Sequence, residues 1–173
     1  MNFSKTKRSF LIMSLVLVGQ TGFAPKAANA AEAYAGAMLG LGIPMGTAVD
    51  VDSGTVWGAT LGLRLLPMLS VAGTYLHDGL ETAVGGTDFT TNQWLLEGNF
   101  FDLLFMNAGV HVGSVSTEIA AAKSTDLGYG FHVGFDFRLT EQVSLGAAGY
   151  WTYVTADDKY ATLNLMVPLK IWF

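Results

Sequence analysis

Cysteine is missing from all 173 residues, and charge is scarce: 13% of the chain is Asp, Glu, Lys or Arg, against 51% hydrophobic. Without a thiol there is no disulfide framework, no cysteine zinc site and no thiol nucleophile. Long apolar runs are also lacking, since no stretch after position 30 offers the 18 consecutive apolar residues of a spanning helix. Positive charge is the scarcest resource. Four of the nine basic residues, Lys5, Lys7, Arg8 and Lys26, precede position 31, and no acidic residue does. Residues 31–173 therefore hold five basic against fourteen acidic residues, a balance of −9 where the whole chain reads −5. A surface able to neutralise phosphates is absent, so no nucleic-acid partner is expected.

The first thirty residues form a unit of their own. Lys5-Thr6-Lys7-Arg8 is a positive head, Phe10–Gly19 an apolar core too short to cross a bilayer, and Ala28-Asn29-Ala30 supplies small residues at a cleavage position. Residues 1–30 read as a secretory signal peptide removed after Ala30. Residues 31–173 read as one exported domain.

An exported chain this apolar needs somewhere to put its hydrophobic surface, and its period says where. In Leu127–Arg138 the residues Leu127, Tyr129, Phe131, Val133, Phe135 and Phe137 share one face, while Gly128, Gly130, His132, Gly134, Asp136 and Arg138 share the other. Large apolar side chains opposite glycines and charges describe a strand with lipid on one side and a crowded polar interior on the other. The pattern repeats near Ala33–Ile43, Val56–Leu66, Leu69–His77, Phe89–Phe100, Leu103–Val115, Val143–Tyr153 and Tyr160–Phe173. Outward sets include Trp57, Ala59, Leu61, Leu63 and Leu65, then Trp94, Leu96 and Phe100, then Met106, Ala108, Val110 and Val112. Strands of about 9–11 residues are long enough to cross when tilted, and barrels take an even number of them. The expected fold is all-β: a membrane-spanning, antiparallel up-and-down barrel of eight strands.

The connections alternate long and short, with Pro44–Thr55, Asp78–Asp88, Ser116–Asp126 and Val154–Lys159 as the long ones. That is the expected sorting when long loops face outside and short turns face the periplasm. The long connections carry Asp50, Asp52, Asp78, Glu81, Asp88, Glu118, Asp126, Asp157 and Asp158 against only Lys123 and Lys159, so the outer end is expected to be acidic. Asp50-Val51-Asp52-Ser53-Gly54 begins like a calcium loop but lacks the later ligands. Aromatic rings favour the two membrane interfaces: Trp57, Tyr75, Tyr129, Trp151 and Tyr153 are expected at the outer rim, and Phe100, Phe105, Phe137 and Phe173 at the inner one.

At the end of the chain, Leu163, Leu165, Val167, Leu169, Ile171 and Phe173 alternate with Thr162, Asn164, Met166, Pro168, Lys170 and Trp172. The terminal Phe173, with Leu169 and Ile171 at every second position before it, resembles the C-terminal assembly signal of bacterial outer-membrane barrels. Residues 31–173 as a whole resemble the small eight-stranded outer-membrane barrels, the group holding OmpX, Ail, OmpW and the transmembrane domain of OmpA. The resemblance implies a monomer in outer-membrane lipid and lipopolysaccharide, delivered by periplasmic chaperones and folded by the barrel assembly machinery. One departure is Pro168 inside the closing strand, where a bulge or a gap in the ladder is expected.

With the faces assigned, Arg64, Glu97, Asp136, Arg138 and Lys170 point inward near the periplasmic end and are expected to pair with one another, because an unpaired buried charge is costly. His111 and His132 point inward on adjacent strands and are expected to meet, with no inward carboxylate at their height and hence no metal site. His111 and Ser114 fall on opposite faces, which removes the nearest candidate for a hydrolytic pair. No cofactor and no catalytic residue are expected. An eight-stranded barrel is just wide enough to be filled by its own side chains. The reading is a non-enzymatic envelope barrel with a structural or surface-interaction role. A narrow channel for small hydrophobic or ionic solutes is the alternative, and a lipid A-modifying enzyme stands behind it.

Overall fold

A computed structural model describes residues 31–46, 52–66, 68–81, 88–102, 105–119, 122–156 and 160–173. The expected signal peptide, residues 1–30, lies outside them, as do Asp50, Asp157 and Asp158. Eight strands follow one another: β1 Glu32–Met45, β2 Gly54–Leu66, β3 Leu69–Glu81, β4 Asp88–Asp102, β5 Met106–Ile119, β6 Ala122–Arg138, β7 Val143–Val154 and β8 Tyr160–Trp172. Each pairs antiparallel with its sequence neighbours, and β8 closes on β1, giving an up-and-down barrel. Closure satisfies every strand edge, which a chain surrounded by lipid requires.

The dyad pattern sorts as the sequence dictates. Leu127, Tyr129, Phe131, Val133, Phe135 and Phe137 are exposed on β6, while Gly128, His132 and Gly134 are buried. Leu61, Leu63 and Leu65 on β2 and Trp94 and Leu96 on β4 are exposed likewise. Gly46 ends β1 in the left-handed region at φ 70°, a conformation glycine reaches without a steric penalty.

The strands outrun the sequence expectation at one end. Asp78–Asp88 and Ser116–Asp126 were expected as loops, yet β3 continues through Glu81, β4 starts at Asp88, and β5 and β6 are separated only by residues 120–121. Ser116, Thr117, Glu118 and Ile119 pair with Thr125, Ser124, Lys123 and Ala122, and the Ser116 and Thr125 hydroxyls lie 2.8 Å apart. Hydropathy alternates only where one face meets lipid. Beyond the bilayer the outward face is no longer apolar, so the ladder continues after the pattern has stopped.

Irregularities cluster by the short turns. Register shifts occur between Arg64 and Leu66 on β2 and between Asn99 and Phe101 on β4, in keeping with bulges at barrel rims. Around Pro168 the β7–β8 ladder skips Gly146 and Ala147, then resumes at Ala148–Met166 in the same register. Lacking an N–H, Pro168 leaves a gap there with no bulge.

Candidate functional site

The interior is the only part of such a barrel that side chains can furnish in three dimensions, and the inward faces of β3 and β4 show how it is layered. From the end carrying Phe173 toward the opposite, loop end, β3 contributes Ser70, Ala72, Thr74, Leu76, Asp78 and Leu80, and β4 contributes Asn99, Glu97, Leu95, Gln93, Thr91 and Phe89, all buried. Polar and apolar residues therefore alternate along β3, while β4 sets two polar residues before each apolar one.

The first level closes around Trp172. Arg64 lies over its ring at 4.6 Å and Arg138 at 4.5 Å, and its indole N–H donates to the Ser144 hydroxyl at 3.0 Å. Oε2 of Glu32 accepts from both guanidinium groups, at 3.2 Å from Arg64 and 2.8 Å from Arg138. Tyr34 packs tilted against Trp172 with ring centroids 4.8 Å apart. Just above, the Lys170 ammonium donates to Asp136 Oδ2 at 2.6 Å, and Asn107 donates to the same oxygen at 3.0 Å.

This corrects the expected network. Among Arg64, Glu97, Asp136, Arg138 and Lys170, it is Lys170 and Asp136 that pair at short range, and the two arginines share Glu32, the first residue of β1. Glu97 sits higher, opposite His111 in the β4–β5 register, so a carboxylate does lie at the level of the histidines. It is 4% exposed and its Oε1 has no hydrogen-bond partner. A polar cavity of about 20 Å³, room for about one water molecule, is lined by Glu97, Asn99, Asn107, Asp136, Tyr150 and Lys170.

His111 and His132 meet, with Nδ1 atoms 3.5 Å apart and rings stacked at 5.7 Å. Nε2 of His132 donates to Asn99 Oδ1 at 2.6 Å, which makes its Nδ1 the acceptor for Nδ1–H of His111. Nε2 of His111 is then left to accept from the Thr152 hydroxyl at 3.0 Å. One proton per ring satisfies the whole chain from Thr152 to Asn99. The outer nitrogens point apart, Glu97 Oε2 stays 3.8 Å from His132 Nε2, and among the described residues no three His, Asp or Glu side chains gather as a metal site. Ser114 is exposed on the outer face of β5, away from His111.

Two apolar layers cross the lumen. Met38, Val56, Leu76, Leu95, Tyr150 and Met166 form one beside the histidines. Leu80, Phe89, Val115, Val154 and Tyr160 form the other at the loop end, where the Tyr160 hydroxyl lies 2.6 Å from that of Thr117. Between them is Asp78, which the sequence assigned to an external loop. It is 0% exposed, accepting from Gln93 Nε2 at 2.8 Å and from Asn164 Nδ2 at 3.3 Å. Continuing the alternation of Thr74 and Leu76 by one step would have found it.

On the outer surface, Trp57 packs on Tyr75 at 5.6 Å and Tyr75 on Trp94 at 4.7 Å, while Phe131 stacks on Trp151 at 5.3 Å and Tyr129 meets Tyr153 at 5.5 Å. His77 faces outward with them, 2.9 Å from Asn92 Oδ1. Phe100, Phe105, Phe137 and Phe173 are exposed at the other end. Leu169 is exposed and Ile171 half-buried on the same outer face of β8.

Comparison with known proteins gives a family and a fold. The sequence matches the outer membrane protein beta-barrel domain over residues 11–170. Neisserial surface protein A superposes with a TM-score of 0.56 at 17% identity, covering 82% of this chain and 96% of that one. Ail, the attachment invasion locus protein of Yersinia pestis, gives 0.55 at 16% identity, covering 82% and 98%. OprG of Pseudomonas aeruginosa gives 0.51 at 12% identity, covering 83% and 95%. No curated protein sequence matches the chain.

Proposed function

Since this chain belongs to the outer membrane protein beta-barrel domain family, we propose that it is a monomeric, non-enzymatic outer-membrane protein whose barrel is plugged by its own side chains and whose role is structural or surface-binding. Residues 1–30 would direct export and be removed after Ala30. The loop end would face outward, among lipopolysaccharide, and the end carrying Phe173 would face the periplasm. Two of the fold's relatives carry the names of a surface protein and an attachment protein, which supports a role exerted at the outer end.

One observation carries the plug reading: the layer of Leu80, Phe89, Val115, Val154 and Tyr160 crosses the lumen with every member buried. An ion crossing it would shed its water with nothing to replace it. Purified protein in planar bilayers is therefore expected to show no discrete conductance steps. Reproducible steps, reduced by neutralising Glu97 or Arg138, would replace this reading with that of a narrow channel.

Assembly would proceed through periplasmic chaperones and the barrel assembly machinery, with the last strand as signal. Phe173 N–H donates to Ala33 O at 2.9 Å, and its ring is exposed on the outer wall beside the seam. Deleting Phe173 is expected to lower the amount of folded barrel in outer-membrane fractions far more than Asp52→Asn, a change at an exposed carboxylate. Equal insertion of the two variants would defeat the assembly-signal assignment.

A further inference from the structure

Hydrogen-bonding atoms buried without partners are rare, so a group of them at one level calls for an explanation. Among the described residues, four such atoms lie on the inward faces that flank Asp78: Thr91 Oγ1, Gln93 Oε1, Thr162 Oγ1 and Asn164 Oδ1. All four residues are at most 1% exposed. Thr91 stands directly opposite Asp78 in the β3–β4 register, Gln93 is the next inward residue of β4, and Thr162 and Asn164 are successive inward residues of β8.

Every unpartnered atom at this level is an oxygen, two amide carbonyls and two hydroxyls, and all four are of the kind that ligates a hard cation. The one charged group, the Asp78 carboxylate, lies between the apolar layer of Leu76 and Val56 and that of Leu80, Phe89 and Val115. The described cations are elsewhere: Arg64, Arg138 and Lys170 are paired at the periplasmic end, and Lys123 is exposed on the β5–β6 hairpin. A carboxylate buried with amide donors alone keeps its charge uncompensated.

We propose that this level binds one hard cation through Asp78, Gln93 and Asn164, with the Thr91 and Thr162 hydroxyls completing the shell. The Gln93 and Asn164 amides each turn nitrogen to Asp78 and leave oxygen unpartnered. Rotating an amide by half a turn exchanges two atoms of nearly equal size, so each oxygen turns to Asp78 without backbone movement and its NH2 takes the position the oxygen leaves. The Asn164 contact is already 3.3–3.5 Å from the two carboxylate oxygens, long for a hydrogen bond. It is close to the roughly 3.4 Å between adjacent ligands around an ion held at about 2.4 Å. Oxygen-only ligands select a hard ion over zinc or copper. A single carboxylate among neutral oxygens selects a monovalent ion of sodium type, with calcium as the divalent competitor. Since the apolar layers cover both sides, the ion is taken up as the barrel closes and is held as a structural element.

The test uses the full mature chain refolded in detergent micelles after chelation, with sodium, potassium or calcium chloride against choline chloride at equal ionic strength. A ligand bound only by the folded chain at a hundred times its dissociation constant raises the folding equilibrium constant about a hundredfold. A stabilisation of that order is expected in sodium, lost in Asp78→Asn and kept in Glu97→Gln, whose carboxylate lies at the histidine level. If Asp78→Asn does not fold, wild-type protein passed through gel filtration after refolding in radioactive sodium or calcium decides by itself, with about one retained ion per chain expected. Retention of calcium alone would overturn the monovalent assignment. Equal stability in all salts with no retained ion, or a salt effect that survives in Asp78→Asn, would overturn the site.

Discussion

Replacing Gly130 with valine is expected to abolish the folded barrel, while the same change at Gly73 leaves it folded. Gly130 lies on the inward face of β6, opposite His111 on β5 and Thr152 on β7. A Cβ there would overlap the Trp151 carbonyl oxygen and come within 2.8 Å of His111 Nε2. The carbonyl belongs to the main chain of a paired strand and has nowhere to turn. His111 Nε2 is the acceptor for the Thr152 hydroxyl, so displacing the ring also breaks the chain of hydrogen bonds that runs to Asn99. Overpacking alone costs about 1–3 kcal/mol, and leaving buried polar groups unsatisfied adds about 1–3 kcal/mol more. Together these lower the folding equilibrium constant by at least about thirtyfold. A Cβ at Gly73, on the lipid side of β3, meets nothing within 4 Å. The readout is the fraction of unboiled protein migrating as compact barrel on electrophoresis, checked by far-ultraviolet circular dichroism. A Gly130→Val variant that folds as well as Gly73→Val would show the wall between β6 and β7 to be looser than described.

The contrast between these glycines also shows what the sequence makes legible. That Gly130 faces inward follows from the alternation of Leu127–Arg138, because lipid imposes an apolar residue at every second position. The outward placement of Trp57, Trp94, Tyr129 and Trp151 follows for the same reason. What lies opposite an inward residue does not follow, since in an antiparallel pair each residue of error in placing a turn moves the partner by two. A turn at Phe101-Asp102 sets Glu97 against Met106, whereas strands running to Asp102 and Met106 set it against His111. The expectation that Glu97 joins one ion network at the periplasmic end fails on that count.

Contacts across the barrel are harder still to read. Asp78 and Asn164 are 86 residues apart on strands that do not pair, and only the stagger of the closed sheet brings them to one level. Glu32 lies one position before the expected start of the first strand, and that single residue supplies the carboxylate for both Arg64 and Arg138. Periodicity identifies which residues are inside. Register, bulges and strand ends decide which of them meet.

The ion pair that the sequence did anticipate in kind offers the other large effect. Lys170 and Asp136 face each other at 2.6 Å, with side chains only 13% and 14% exposed. Removing one partner of a buried pair costs about 3–5 kcal/mol, because the survivor keeps its desolvation without its counter-charge. Lys170→Met leaves Asp136 with only the Asn107 amide, and its Oδ1 already lacks a partner. Its destabilisation is expected at about 3 kcal/mol. Asp136→Leu is expected to cost less, because the freed ammonium remains in a cavity lined also by Glu97, whose Oε1 is without a partner. The double variant Lys170→Met, Asp136→Leu removes both charges and fills the space with apolar volume. It is expected to lie within about 1 kcal/mol of the parent, since well-packed hydrophobic replacements of such pairs are often neutral. Urea unfolding of the four proteins in micelles of one detergent gives the coupling between the two positions directly. Additive single effects would mean that Lys170 and Asp136 act independently, and the lumen level beside Phe173 would then rest on the Glu32, Arg64, Arg138 and Trp172 cluster alone.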